Sequence, residues 1–195
     1  MRDDLFAVPI RKYHIDNNDI FLEETKKAYS KSKFEVPSPF IIGLDQIPPE
    51  CSQKYGELLE EFMTDLGVYD THNAVITSFI LKVLEQGESV DRMDTLPSHY
   101  TLVHYVDCGS EDTSDTFHHP ARMMLNAFRP AAVDEWQDAA GLYINKGDVI
   151  IHPSFMEHSS PTKKGSGQRI TLTLTIVLQQ RNEQGRNTDI KEPAA

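Results

Sequence analysis

The stretch from Gly147 to Thr175 concentrates the residue types that could do chemistry. A Gly147-Asp148 turn launches the apolar run Val149-Ile150-Ile151, which His152-Pro153-Ser154 closes. His158 follows, and eleven residues later Arg169 opens the segment Arg169-Ile170-Thr171-Leu172-Thr173-Leu174-Thr175. In a strand, Arg169, Thr171, Thr173 and Thr175 share one face, and Ile170, Leu172, Leu174 and Ile176 share the other. A face of one arginine and three threonines suits a polar ligand. The planar guanidinium fork matches a carboxylate, and a threonine hydroxyl farther along the strand can donate a further hydrogen bond. A half-buried strand with an ordinary surface arginine would show the same alternation, so the pattern alone leaves both readings open.

The elements that must position these residues read as helices first and strands afterwards. Leu5 to Ile10 is a short apolar stretch that predicts an opening strand. Asn17 to Ser32 is charged, with Ile20, Phe21, Ala28 and Tyr29 as its apolar positions, and predicts a surface helix. The Pro-rich passage Val36 to Pro49 punctuates the chain. Tyr55, Leu58, Leu59, Phe62, Met63 and Leu66 then fall on one face of a 3.6-residue period, a helix packed on a sheet. Ala74–Leu84, His99–Val106, Ala121–Phe128, Gly141–Ile151 and Arg169–Leu178 read as strands. Gln86-Gly87-Glu88, Cys108–Thr116, Arg129-Pro130 and Lys163–Gln168 read as the breaks between them. Helices followed by many short strands favour a sandwich or jelly roll with helices against one sheet.

Composition narrows the function classes. The 195 residues suffice for one domain's core without cross-links, with 39% hydrophobic and 25% charged residues. A formal charge of −11 disfavours nucleic acid as a partner, because phosphate binding needs a basic surface. The two cysteines, Cys51 and Cys108, make neither a disulfide framework nor a cysteine-based zinc site. Met1 to Ile10 lacks the apolar core of a signal peptide and no run approaches a membrane span, so a soluble cytoplasmic protein is expected.

From Gly147 to Thr175 the chain resembles the C-terminal half of Fe(II)/2-oxoglutarate dioxygenases, above all their prolyl-hydroxylase-like branch. The opening Leu5-Phe6-Ala7-Val8-Pro9 is also similar to the start of small uncharacterised oxygenases of this group, and the likeness extends over most of residues 5–178. The resemblance implies a double-stranded β-helix, a jelly roll of mainly β structure with N-terminal helices packed on one sheet. Residues 1–178 would form this single domain and 179–195 a polar tail. It further implies that His158 binds iron, that Arg169 grips the distal carboxylate of 2-oxoglutarate, and that Thr173 supports that carboxylate. Fe(II) and 2-oxoglutarate would be the cofactor and co-substrate, with ascorbate as an optional reductant. The implied reaction is oxygen-dependent decarboxylation of 2-oxoglutarate to succinate, coupled to hydroxylation of a C–H bond on a peptidyl or amino-acid side chain.

The same resemblance calls for His-x-Asp roughly sixty residues before His158, since ferrous iron in this family sits on two histidines and one carboxylate. The matching segment is Gly87-Glu88-Ser89-Val90-Asp91-Arg92-Met93-Asp94. Asp94 takes the carboxylate position, and in the strand that follows Tyr105 takes that of a tyrosine that also binds 2-oxoglutarate, with Thr101 on its face. Arg92 stands where the first histidine is expected, and a guanidinium has no lone pair to give a metal. Three alternatives follow. His152 completes the site; or Asp94 and His158 hold iron weakly alone; or Arg92 pairs with Asp94, leaving a non-catalytic module that keeps the 2-oxoglutarate pocket. A cupin-type metalloenzyme with other histidines as ligands is a further rival.

The remaining histidines carry blander expectations. His14-Ile15-Asp16 spells His-x-Asp by chance, and His118-His119-Pro120 belongs to a polar loop. His104 has the opposite parity to Tyr105 and should face away from the co-substrate, while His99 precedes that strand and is a weak candidate for the metal. Trp136 is read as packing or as part of a lid. Dinucleotide, P-loop, zincin and nucleophile-elbow motifs are absent.

Overall fold

The structure, a computed structural model, describes residues 10–32, 40–41, 48–109, 112–118 and 139–181. Two helices, α1 (Asp19–Ser32) and α2 (Pro49–Asp65), accompany ten strands. In chain order these are β1 (Arg11–His14), β2 (Phe40–Ile41), β3 (His72–Leu84), β4 (Val90–Met93), β5 (Tyr100–Asp107), β6 (Thr113–His118), β7 (Ala139–Tyr143), β8 (Asp148–Pro153), β9 (His158–Ser160) and β10 (Arg169–Gln180). They form a six-stranded sheet of order β1-β8-β5-β10-β3-β2 and a four-stranded sheet of order β4-β9-β6-β7. All the pairings are antiparallel. Two sheets joined by crossovers in this manner make the expected jelly roll. Among the described residues no helix is long and apolar enough to cross a membrane.

Period-two alternation divides the interior into two layers. Ile170, Leu172, Leu174 and Ile176 of β10 join Phe79, Leu81 and Val83 of β3 in a core beneath the helices. Proline in the first turn opens α2, where a missing N–H costs nothing. Its buried face, Tyr55, Leu58, Leu59, Phe62 and Met63, covers that layer, with the expected Leu66 half-buried beside it. The opposite faces of the same strands meet the smaller sheet. There Val103, Tyr105, Ile150, Phe117, Ile144 and Met156 cluster, and Arg169 reaches across to β6. The arginine-threonine face of β10 therefore lines the barrel interior, and the alternative of a solvent-facing strand is excluded.

Several boundaries differ from expectation. The first described strand is Arg11–His14, while Leu5 to Pro9 and Ala121–Phe128 lie outside the described residues. Gly141–Ile151, expected as one strand, is two: β7 and β8 flank a turn at 144–147. Gly147 closes that turn at φ 89°, and a side chain there would meet the Ile15 carbonyl and the His14 ring at 3.0 Å. Asp148 then accepts from Lys12 at 2.7 Å, from Asn145 N at 2.6 Å and lies 3.0 Å from His14 Nδ1. That pairing gives His14 a structural task at the β1 edge. Cys108–Thr116, expected to be a break, contains the start of β6. The last strand continues past 178 to Gln180.

His104 faces the helical core as its parity predicts, 2.8 Å from the Tyr55 hydroxyl through Nδ1. Tyr55→Phe is expected to cost about 1–3 kcal/mol, because its partner nitrogen is left buried and unsatisfied. Urea unfolding of the two proteins measures it, and an unchanged midpoint would show the bond to be dispensable. Burial, with a smaller push from His14, drives the His104 pKa down to about 3. The unfolded chain therefore binds a proton below pH about 6.5 that the folded chain refuses. Stability should fall as pH drops from about 6.5 towards 3, with this histidine contributing up to about 1.4 kcal/mol per pH unit. His104→Asn, which keeps a partner for Tyr55, should lessen the slope of the urea midpoint across that window, leaving the share that buried His152 contributes through its own lowered pKa. An equal slope in both proteins would assign the acid sensitivity elsewhere.

Candidate functional site

The inward face between the two sheets collects the candidates. Arg169, first residue of β10, is 2% exposed, and its Nη2 lies 3.5 Å from Asp115 Oδ1 on β6. Thr171 and Thr173 follow on the same face at 2% and 4% exposure, and neither hydroxyl has a hydrogen-bond partner. Tyr105 is fully buried, and its hydroxyl accepts the Asp115 amide at 2.9 Å. Burial, reinforced by the Asp115 charge, holds the phenol well above its usual pKa. It remains a neutral donor for an anion.

His158 opens β9 and is buried, facing β4 through Met93 and β6 through Phe117. Met93, the last residue of β4, pairs with His158, and Asp94 is the residue that follows it in the chain. A hydroxyl network fixes this segment. The Thr95 amide donates to the Ser154 carbonyl at 3.2 Å, and Ser154 Oγ lies 2.8 Å from both Ser98 Oγ and Thr101 Oγ1. Thr95 and Thr101 also join hydroxyl to hydroxyl. Ser154 thus ties the chain after Asp94 to the loop between His152 and His158. Asp94 itself is exposed, and Arg92 contributes its backbone to β4.

His152 lies inside the barrel, its ring centroid 5.0 Å from that of His158, with Phe117 against both. Its Nδ1 is 3.0 Å from the Pro153 carbonyl. A carbonyl only accepts, so Nδ1 carries the hydrogen and the lone pair is left on Nε2, a buried atom without a partner. Burial pushes its pKa down to about 3, and burial also lowers that of His158 against the opposing pull of Asp115. Burial thus favours the neutral form of both rings, the form that binds metal. Two imidazoles bound cis to one ion at about 2.1 Å put their ring centroids about 4.5–5 Å apart, so the observed spacing fits.

The other histidines separate from this site. His99 accepts the Leu178 amide at 2.9 Å on an exposed edge, and His118 Nε2 lies 3.1 Å from Ser159 Oγ. His119 and Trp136 lie outside the described residues. Two residues in the interior were missed by the sequence reading. Asp115 falls in the expected break Cys108–Thr116, and Lys82 in the expected apolar strand Ala74–Leu84. Lys82 Nζ stands 3.1 Å from Ser160 Oγ and 3.8 Å from Asp115 Oδ2, and Ser160 donates to Asp115 Oδ1 at 2.7 Å.

The interior suits a dicarboxylate. Lys82 and Arg169 both approach Asp115, and the neighbouring Thr171 and Thr173 hydroxyls lack partners among the described residues. For iron, His158, His152 and Asp94 offer donors of the right chemistry, two neutral imidazoles and a carboxylate. Among the described residues no three such groups converge tightly enough to hold an ion as they stand.

The jelly roll that these sheets form is similar to that of solved 2-oxoglutarate/Fe(II) oxygenases. No protein-family model matches the sequence, and no curated protein matches it. Solved structures do match. A viral collagen prolyl hydroxylase from Paramecium Bursaria Chlorella virus-1, in complex with 2-oxoglutarate, aligns with TM-score 0.56 and 13% identity over 86% of this chain and 94% of its own. A Pseudomonas putida prolyl-4-hydroxylase aligns with TM-score 0.55 and 13% identity over 90% and 95%. HygX from Streptomyces hygroscopicus, with nickel and 2-oxoglutarate bound, gives 0.56 and 11% over 91% and 86%. At these identities the likeness is one of fold.

Proposed function

We propose that this protein is a 2-oxoglutarate- and Fe(II)-dependent oxygenase acting on a C–H bond, with a peptidyl or amino-acid side chain as the substrate class. The observation that carries the reading is Arg169, buried at the head of β10, with two partnerless threonine hydroxyls following on its face. Arg169, Thr173 and Tyr105 would hold the distal carboxylate of 2-oxoglutarate, by charge-assisted hydrogen bonds in a site shielded from water. His158 and Asp94 would hold the metal, with His152 Nε2 taking the place of the histidine that Arg92 replaces. When bound, the metal and co-substrate supply the oxidising chemistry, and the chain's part is placement and exclusion of water. The prolyl hydroxylases among the solved structures support the substrate class by fold alone.

One sequence feature favours a second reading, a non-catalytic module that binds 2-oxoglutarate without a competent iron site. It is Arg92, which stands where the first histidine ligand is expected and has no lone pair to give a metal. Anaerobic addition of 2-oxoglutarate to the Fe(II)-loaded protein separates the two. The oxygenase reading expects a weak visible charge-transfer band and, on admitting air, succinate. Binding of 2-oxoglutarate with no band and no succinate would establish the module instead.

A further inference from the structure

Lys163 is buried whole among the connections at one end of the barrel. Its side chain is 0% exposed and that of its partner Asp112 is 2% exposed. Lysine almost never leaves water completely unless it is paired. Here Nζ stands 3.1 Å and 3.3 Å from the two Asp112 carboxylate oxygens and donates to the Gly165 carbonyl at 3.3 Å. Asp112 Oδ2 also accepts the Gly109 amide at 2.9 Å, and the Asp112 amide donates to the Gly109 carbonyl at 3.0 Å. The Lys163 backbone adds a further tie. Its amide donates to the Glu88 carbonyl and its carbonyl accepts the Gly87 amide, both at 2.9 Å.

One residue thus joins three parts of the chain: the turn after β3, the residues between β5 and β6, and the loop that enters β10. These are the connections that flank Arg169. Arg169 pairs with Leu84, the last residue of β3, and Ile170 pairs with Asp107, the last residue of β5. Gln168, the residue before Arg169, donates to Glu85 Oε1 at 2.6 Å, and Gln86 donates to the Lys164 carbonyl at 3.2 Å. Stability alone is a poor account of the buried pair. Removing two charges from water is costly, and an apolar pair of similar volume often serves stability as well or better. The ionic pair adds direction. An ammonium group held by two carboxylate oxygens and a carbonyl admits one arrangement of the segments that carry them, whereas an apolar contact admits several.

We propose that Lys163 is a positioning residue, whose buried pair with Asp112 locks the connections around Arg169 and so aims the guanidinium at the ligand's distal carboxylate. The inference rests on the 2-oxoglutarate reading above. It adds that the preference for a dicarboxylate over a 2-oxo acid ending in an alkyl group depends on a residue acting through Arg169.

Anaerobic calorimetry of the Fe(II)-loaded protein tests it, with 2-oxoglutarate and with 2-oxopentanoate, which lacks the distal carboxylate. Lys163→Met combined with Asp112→Asn removes both charges together, and the Asn oxygen can still accept the Gly109 amide. The folded double variant should lose about fivefold or more of the preference for 2-oxoglutarate, with the 2-oxopentanoate affinity unchanged. A merely structural role predicts a lower urea midpoint with the preference intact, and that result overturns the proposal while leaving Arg169 in the site. Should the double variant fail to fold, the unmodified protein decides. Coupling is reciprocal, so a pair that aims Arg169 must itself be tightened when Arg169 is occupied. Amide hydrogen exchange in residues 85–88 and 161–168 should then slow more with 2-oxoglutarate than with 2-oxopentanoate at equal saturation, measured against exchange in α2. Equal slowing by the two ligands overturns the proposal. Failure of the unmodified protein to bind 2-oxoglutarate at all overturns the underlying reading together with it.

Discussion

Replacing Arg169 with alanine is expected to weaken 2-oxoglutarate binding by on the order of 2–4 kcal/mol, about 30- to 900-fold. The size follows from where the guanidinium sits. At 2% exposure it would meet a ligand carboxylate in a site with little water to screen the charge or to replace the lost contact. The loss also strands Asp115, which keeps Lys82 and Ser160 but gives up one of its two cations. A folding penalty should therefore accompany the binding penalty, and the two must be measured apart. Calorimetry with 2-oxoglutarate and its unreactive analogue N-oxalylglycine gives the first, and urea unfolding gives the second. Arg169→Lys keeps the charge but not the planar fork, so it should recover stability more completely than affinity. Unchanged 2-oxoglutarate affinity in a folded Arg169→Ala protein would remove this residue from the site.

β10, the strand that Arg169 opens, is legible in the sequence as a strand with two distinct faces. Four apolar residues alternate with Arg169 and three threonines, and a period of two over so many positions specifies both a strand and the direction of its faces. The face of α2 was legible for the same reason, with a period of 3.6. Where the reading went astray, the inward residue was charged. β6 carries Thr-Ser-Asp-Thr-Phe-His, which reads as a polar break, yet Asp115 and Phe117 of that strand are buried. Its burial is possible only because Lys82 and Arg169 come from β3 and β10, distant in the chain, to compensate the charge. Lys82 posed the converse problem. A lone lysine in an apolar strand marks the solvent side under ordinary patterning, and no local signal tells that the far side is a polar interior. The split of Gly141–Ile151 had a signal in Asn145-Lys146-Gly147, where the glycine's positive φ closes a turn. His152 was recognised as a candidate by position, but its availability depends on the Pro153 carbonyl fixing the tautomer, which only the folded backbone reveals.

Exchanging the residue at position 92 should have the largest effect on metal binding, and the outcome depends on His152. The ligand count sets the argument. A guanidinium donates no lone pair, so the segment Arg92-Met93-Asp94 supplies one ligand where His-x-Asp would supply two. The segment runs along the strand next to His158, with Met93 paired to it directly. Arg92→His should then bring an imidazole to the strand end, remove a positive charge, and tighten Fe(II) binding by tenfold or more, on the order of what a supporting ligand contributes. If His152 Nε2 already serves as the third donor, the unmodified protein should bind Fe(II) and convert 2-oxoglutarate to succinate. His152→Ala should abolish both, and Arg92→His should restore metal binding to the His152→Ala protein. A purely packing role for His152 predicts a different pattern: His152→Phe, which refills the space against Phe117 without a lone pair, would then bind Fe(II) as the unmodified protein does. Anaerobic titration with Fe(II), read alongside succinate release, distinguishes these outcomes. Should the unmodified protein bind neither iron nor 2-oxoglutarate, and Arg92→His leave iron affinity unchanged, the oxygenase reading fails and the jelly roll remains as the scaffold of some other site.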